Sequence, residues 1–177
     1  GNTNSHWNEA AQFGSPRDRI FIEHQTAGTK LRQNQYDESA ELTLDRATSM
    51  LMSMTSPKHQ RYFGLEHSPD ILAQDQDFNK ERQDQLDKAE DILFDSRYRP
   101  KGRFSEARYQ YLRSLLGFGN GIVFCDKGPD KNTPITYRFC HLSNTHIITD
   151  GLDNIVGVMH SRKLTAPQIV SEFGEDK

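Results

Sequence analysis

At Gly117-Phe118-Gly119-Asn120-Gly121 the apolar residues change period, from the three-to-four-residue step of a helix to the two-residue step of a strand. Most of the chain before this point is patterned to form helices, and most of the chain beyond it is patterned to form strands. The sequence therefore predicts an α+β fold: amphipathic helices, then a small, mainly antiparallel sheet, then a short terminal helix. Residues 1–177 read as a single region, mainly helical over 1–116 and strand-rich with a final helix over 117–177.

In the first part, Trp7, Ala10, Ala11 and Phe13 suggest a short helix over 6–13, ended by Gly14-Ser15-Pro16. Ala40, Leu44, Ala47, Leu51 and Met54 recur at steps of four, three, four and three, which places them on one stripe of a helix over 36–55. Asp37 or Ser39 can cap its start, and Pro57 lies just beyond its end. The aromatic run Arg61-Tyr62-Phe63-Gly64-Leu65 suits a strand, followed by a turn at Ser68-Pro69-Asp70. A helix over 75–94 turns Phe78, Leu86, Ala89, Ile92 and Leu93 inward and Asp84, Asp87, Glu90 and Asp91 outward. After the loop Arg99-Pro100-Lys101-Gly102, Phe104, Ala107, Tyr111 and Leu115 mark a third long helix to Leu116, stopped by Gly117.

In the second part, residues 122–125 read as a buried strand and 126–134 as a polar loop with Gly128-Pro129. Residues 135–141 alternate, with Ile135, Tyr137 and Phe139 apolar, as a strand with one wet face does. Residues 146–149 and 155–160 form a hairpin across Asp150-Gly151, where glycine can supply a positive φ. Thr165-Ala166-Pro167-Gln168 is a capping box that opens a helix through Phe173, with Gly174 as its stop.

Composition excludes several function classes. No run approaches the roughly 20 apolar residues that cross a bilayer, and Gly1-Asn2-Thr3-Asn4-Ser5 has no signal-peptide character. With 22 basic and 25 acidic residues the formal charge is -3, so strong nucleic-acid binding cannot come from the chain as a whole and any DNA contact must be local. Two cysteines, Cys125 and Cys140, are too few for a disulfide framework and fit small core positions in a reducing compartment. The mean hydropathy of -0.82 is low for a self-contained domain. With a start lacking Met and a stop at Glu175-Asp176-Lys177, it suggests a piece of a longer chain.

No enzyme signature is present. Asp75-x-Asp77-x-Asn79 opens like a calcium loop, but Lys80 stands where glycine must turn and Leu86 where a bidentate Glu must sit. The glycines of 117–121 follow a helix and precede a strand, the reverse of a phosphate-binding loop. Cys125, Cys140, His141 and His146 lack the close pairs that nucleate a zinc site, and neighbouring Cys140 and His141 would face opposite ways on a strand. There is no G-x-S-x-G, H-E-x-x-H or Walker A sequence. No catalytic residue, metal or cofactor is expected.

One segment has the composition of a binding patch. Arg97, Arg99, Lys101, Arg103, Arg108 and Arg113 face only Glu106, interleaved with Tyr98, Phe104, Tyr109 and Tyr111. They suit phosphate contact, and the chain could then be a cytosolic nucleic-acid-binding module. They equally suit pairing with the acidic residues between Asp84 and Asp95, or contact with a neighbouring subunit.

Taken in order, several segments carry a resemblance. They are His6-Trp7, Ser15-Pro16-Arg17, Gln35-Tyr36-Asp37-Glu38-Ser39, then Leu51-Met52-Ser53-Met54-Thr55-Ser56-Pro57 with Arg61-Tyr62-Phe63-Gly64-Leu65. The most specific is Asp150-Gly151, Ile155-Val156-Gly157-Val158 and the helix Leu164-Thr165-Ala166-Pro167-Gln168 through Phe173-Gly174. Over nearly the whole chain this resembles the amino-terminal part of the portal, or head-to-tail connector, protein of short-tailed bacteriophages. Tyr62 departs from it, standing where that family usually has tryptophan. The resemblance implies a structural virion protein, not an enzyme: part of a dodecameric ring at one capsid vertex, assembled in the bacterial cytoplasm. Through that ring DNA is packaged and ejected, and to it terminase, capsid and tail proteins attach. It also implies a fragment of the outer, wing-like region, which mostly does not touch the double-stranded DNA passing through the channel and meets no membrane.

Overall fold

Trp7 and Ala11 lie one helical turn apart, and the segment around them forms α1 (Thr3–Gly14). The computed structural model describes residues 3–14, 37–66, 76–152 and 154–174. The expected breaker at Ser15-Pro16, the turn at Ser68-Pro69-Asp70, and Tyr36 and Asp75 as helix starts lie outside the described residues, as does the side chain of Phe78.

Three long helices come after α1. They are α2 (Ser39–Thr55), α3 (Gln76–Tyr98) and α4 (Phe104–Phe118), with a 3-10 turn at Pro100–Gly102 between the last two. Then come β1 (Ile122–Asp130), β2 (Thr133–Cys140), β3 (Thr145–Thr149), β4 (Ile155–His160) and α5 (Ala166–Phe173). The architecture is α+β, as the change of period predicts. The strands, however, form two separate antiparallel ribbons, β1 with β2 and β3 with β4, in place of one sheet.

Local chemistry explains most boundaries. Asp37 Oδ1 accepts from the Ser39 N–H at 2.9 Å and from its hydroxyl at 2.7 Å. These two bonds hold the Asp37 carboxyl below the usual range and shape the turn that enters α2. Neither residue is the cap itself, which is Glu38. α4 runs one residue past Gly117 and stops at Gly119, whose N–H still bonds the Leu115 carbonyl while its φ of 76° turns the chain out of the helix. The capping box at Thr165 and Gln168 opens α5 as expected, and Gly174 closes it.

Several expectations fail here. Residues 61–65 pair with no strand: the Leu65 N–H donates to the side chain of Glu90, and Tyr62 and Phe63 lie against Phe94. Glu90 is therefore buried on the inner face of α3, not on its wet face. Residues 126–134 are not a loop, because the first ribbon continues to an Asp130–Thr133 pair and turns at Lys131-Asn132. The strand at 122–125 is not buried either, since Phe124 is 46% exposed and Cys125 is exposed, which leaves only Cys140 as a core cysteine. The second ribbon forms as expected, but Gly151 does not adopt the positive φ. Asp150 Oδ1 instead accepts from the N–H groups of Leu152 and Asn154, closing a longer turn.

The interior has two parts. Ala11 and Leu142 are buried together with Trp7, Phe118 and Ile122 against them, and Trp7 Nε1 donates to the Phe118 carbonyl at 3.2 Å. A train of aromatic rings, Phe63, Phe94, Tyr98, Phe104 and Tyr137, joins the 61–65 segment, α3, α4 and β2 at centroid spacings of 5.0–6.3 Å. In α2 the inward face is rotated from the expected stripe: Glu41 and Thr48 are buried while Ala40, Ala47 and Met54 are exposed.

Candidate functional site

The basic segment is the candidate, and its geometry is set by where each cation finds a partner. Arg97, at the end of α3, lies over the rings of Phe63 at 4.8 Å, Phe104 at 5.1 Å and Tyr62 at 5.8 Å, and donates to the Tyr62 hydroxyl at 2.9 Å. Burial opposes its charge, but the Tyr62 and Tyr137 hydroxyls outweigh burial and hold its pKa above the ordinary value. Beside it, burial and the Tyr62 hydroxyl raise the pKa of Tyr98, whose own hydroxyl donates to the Ser56 carbonyl at 3.0 Å.

Other members of the segment are paired with carboxylates. Lys101 bonds Asp130 at the far end of the first ribbon at 2.5 Å. Arg103, at a φ of 56° ahead of α4, reaches both oxygens of Glu106 at 2.7 and 3.0 Å, a fork that lowers the Glu106 pKa. Arg113, with a side chain 19% exposed, sits 3.8 Å from Glu41 and 3.5 Å from Asp45. These two acids explain the rotation of α2, which must turn Glu41 and Asp45 toward α4 to neutralise Arg113.

Two members remain. Arg108 lies 5.1 Å over the Tyr111 ring with its Nε buried and without a hydrogen bond, and Arg99 is exposed at the start of the 3-10 turn. Arg108 and Arg113, five residues apart, project about 140° from each other around α4. Five of the six cations thus have a ring or carboxylate partner within the chain, and Arg99 has none of these among the described residues. On the acidic face of α3, Asp91 pairs with Arg61 instead.

The residues considered for zinc are also separated. Cys125 pairs in register with Tyr137, and Cys140 with Ile122, three residues along the ribbon. His141 Nδ1 is 2.8 Å from the Ser143 hydroxyl. Among the described residues no group of three His, Cys, Asp or Glu side chains could hold a metal ion, and no helix is long and apolar enough to cross a membrane.

Sequence reasoning missed two features. One is an open groove of about 500 Å³ between α1, α2 and α4, lined by Ala10, Ala40, Leu44, Ala47, Leu116 and Phe118. The 40–44–47 stripe that signals α2 is its wall, so the signal was visible while its exposure was not. The other is His160, whose pKa is lowered by burial and by the nearby charges of Arg138 and Arg162. Its Nδ1 is 3.0 Å from the Thr145 hydroxyl across the second ribbon.

His160 makes stability depend on pH. A lowered folded pKa means that the unfolded chain takes up a proton before the folded chain does. Stability is therefore fully present above the unfolded value of about 6.5 and is lost as pH falls from there toward the folded pKa. Urea melts at pH 7.5 and 5.5 should show a larger loss for the wild type than for His160→Gln, and equal losses would contradict this.

Two comparisons with known proteins bear on the chain. A family profile described as bacteriophage head to tail connecting protein matches residues 1–177. No curated protein matches it.

Proposed function

The chain belongs to the family of bacteriophage head to tail connecting proteins, and from that premise we propose that it forms part of a portal ring at one capsid vertex. The family makes it a structural component of the virion, associated with head and tail components. In this reading twelve copies close a ring through which double-stranded DNA is packaged and later ejected, and to which terminase and the tail attach. The ring assembles in the bacterial cytoplasm. The chain acts by geometry, because rotational symmetry turns one subunit surface into a channel wall and a docking platform. Work for packaging is supplied by the motor, not by this chain. The helical part, 1–116, and the strand-rich part, 117–177, serve as one unit of that ring.

The observation that carries the reading is the family match over all 177 residues. The basic segment supports it indirectly. Arg97, Lys101, Arg103 and Arg113 each have a ring or carboxylate partner in the chain, and the net charge of -3 suits a wall past which DNA must slide. The rival, a nucleic-acid-binding module, predicts binding of DNA by this chain that weakens steeply with salt. Depleting the protein in infected cells is expected to leave heads that contain no DNA and carry no tails. Filled, tailed particles made without it would overturn the proposal.

A further inference from the structure

The second ribbon and α5 bury almost nothing. Ile155, Val156 and Met159 are 61–69% exposed, and Ile169, Val170 and Phe173 of α5 are 44–51% exposed. A lone two-stranded ribbon is marginal in water, so apolar residues open on this scale call for a cover. The open apolar residues lie on both faces of the ribbon and along α5, more of them together than singly scattered apolar residues on an ordinary monomer surface account for.

The same chain carries a second uncovered apolar surface of a different shape, the groove between α1, α2 and α4. Its wall is the small-residue face Ala40, Leu44 and Ala47, which lets another helix approach closely. From Ser39 to Ala47 the wall is about 12 Å long, and the eight residues of α5 also span about 12 Å. α5 presents Ile169, Val170 and Phe173 at i, i+1 and i+4, the spacing with which an amphipathic helix enters an apolar groove. No residue of α5 lines the groove of its own chain.

We infer that α5 and the second ribbon dock onto a second copy of this chain, with α5 in that copy's α1–α2–α4 groove. The two surfaces differ, so the contact is heterologous and repeats from copy to copy until a ring closes. The inference rests on the portal reading and names the surfaces by which its subunits meet.

Mixing two repelling variants of the full chain tests it, with mass photometry as the readout. Phe173→Asp spoils α5 and leaves the groove intact, while Ala47→Glu spoils the groove and leaves α5 intact. Both positions are exposed, so each variant should keep the wild-type circular dichroism and melt. Each alone should be monomeric, and an equimolar mixture should give dimers and nothing larger, because only one good interface remains per pair. Variants that assemble like the wild type, a mixture that stays monomeric, or a variant whose monomer melts lower because its own chain covers the patch would each overturn the inference. A wild-type protein that forms no ring would instead sink the portal reading on which it rests.

Discussion

Arg97→Ala lowers folding stability by about 3 kcal/mol, whereas Arg99→Ala, two residues further on, changes it by less than about 0.5 kcal/mol. The two arginines belong to one basic run and are indistinguishable by composition. Arg97 lies over three rings and donates to the Tyr62 hydroxyl, which itself is 3.4 Å from the Tyr98 hydroxyl. Each partly desolvated cation–π contact contributes about 0.5–2 kcal/mol and the hydrogen bond about 1 kcal/mol. Removing the guanidinium also leaves a gap between the 61–65 segment, α3 and α4. Arg99 is exposed and touches none of these rings, so its loss costs only solvent contacts. Urea melts of the two variants decide the matter, and equal effects would mean that the aromatic train does not depend on its cation.

The second large effect is expected at Gly128. A Cβ there would overlap the Thr133 carbonyl oxygen and come within 2.8 Å of its carbon and 3.0 Å of the Ile135 nitrogen. All three are backbone atoms of the partner strand, so no side chain can swing aside. The register is irregular between Lys127 and Asp130, and the glycine is what lets the strands stay close through that irregularity. Gly128→Ala should cost about 3 kcal/mol, the upper end of ordinary overpacking, and open the far end of the first ribbon. The Lys101–Asp130 pair would part with it. Amide exchange at residues 130–133 should rise markedly, while Gly14→Ala, where a Cβ meets nothing within 4 Å, should leave exchange unchanged.

How much of the fold was legible in the sequence depended on whether burial followed periodicity. The helices and the second ribbon were readable because their spacing and caps are local properties, as at Thr165 and Gln168 of α5. Residues 61–65 look like a strand by composition, but their backbone partner is the side chain of Glu90, a contact 25 residues away that no local rule predicts. Residues 126–134 look like a loop because an exposed ribbon arm needs no apolar alternation. The face of α2 was misplaced because Arg113 draws Glu41 and Asp45 inward, overriding the apolar stripe. The basic run was visible as a run, while its dispersal among rings and carboxylates was set by tertiary packing.

The measurement closest to the central claim is electron microscopy of the purified full-length protein, with particles classified by rotational symmetry. The account predicts closed rings with a central channel, each subunit meeting its neighbours through two different surfaces. Monomers at micromolar concentration, or two-fold dimers that bury the same surface twice, would contradict it.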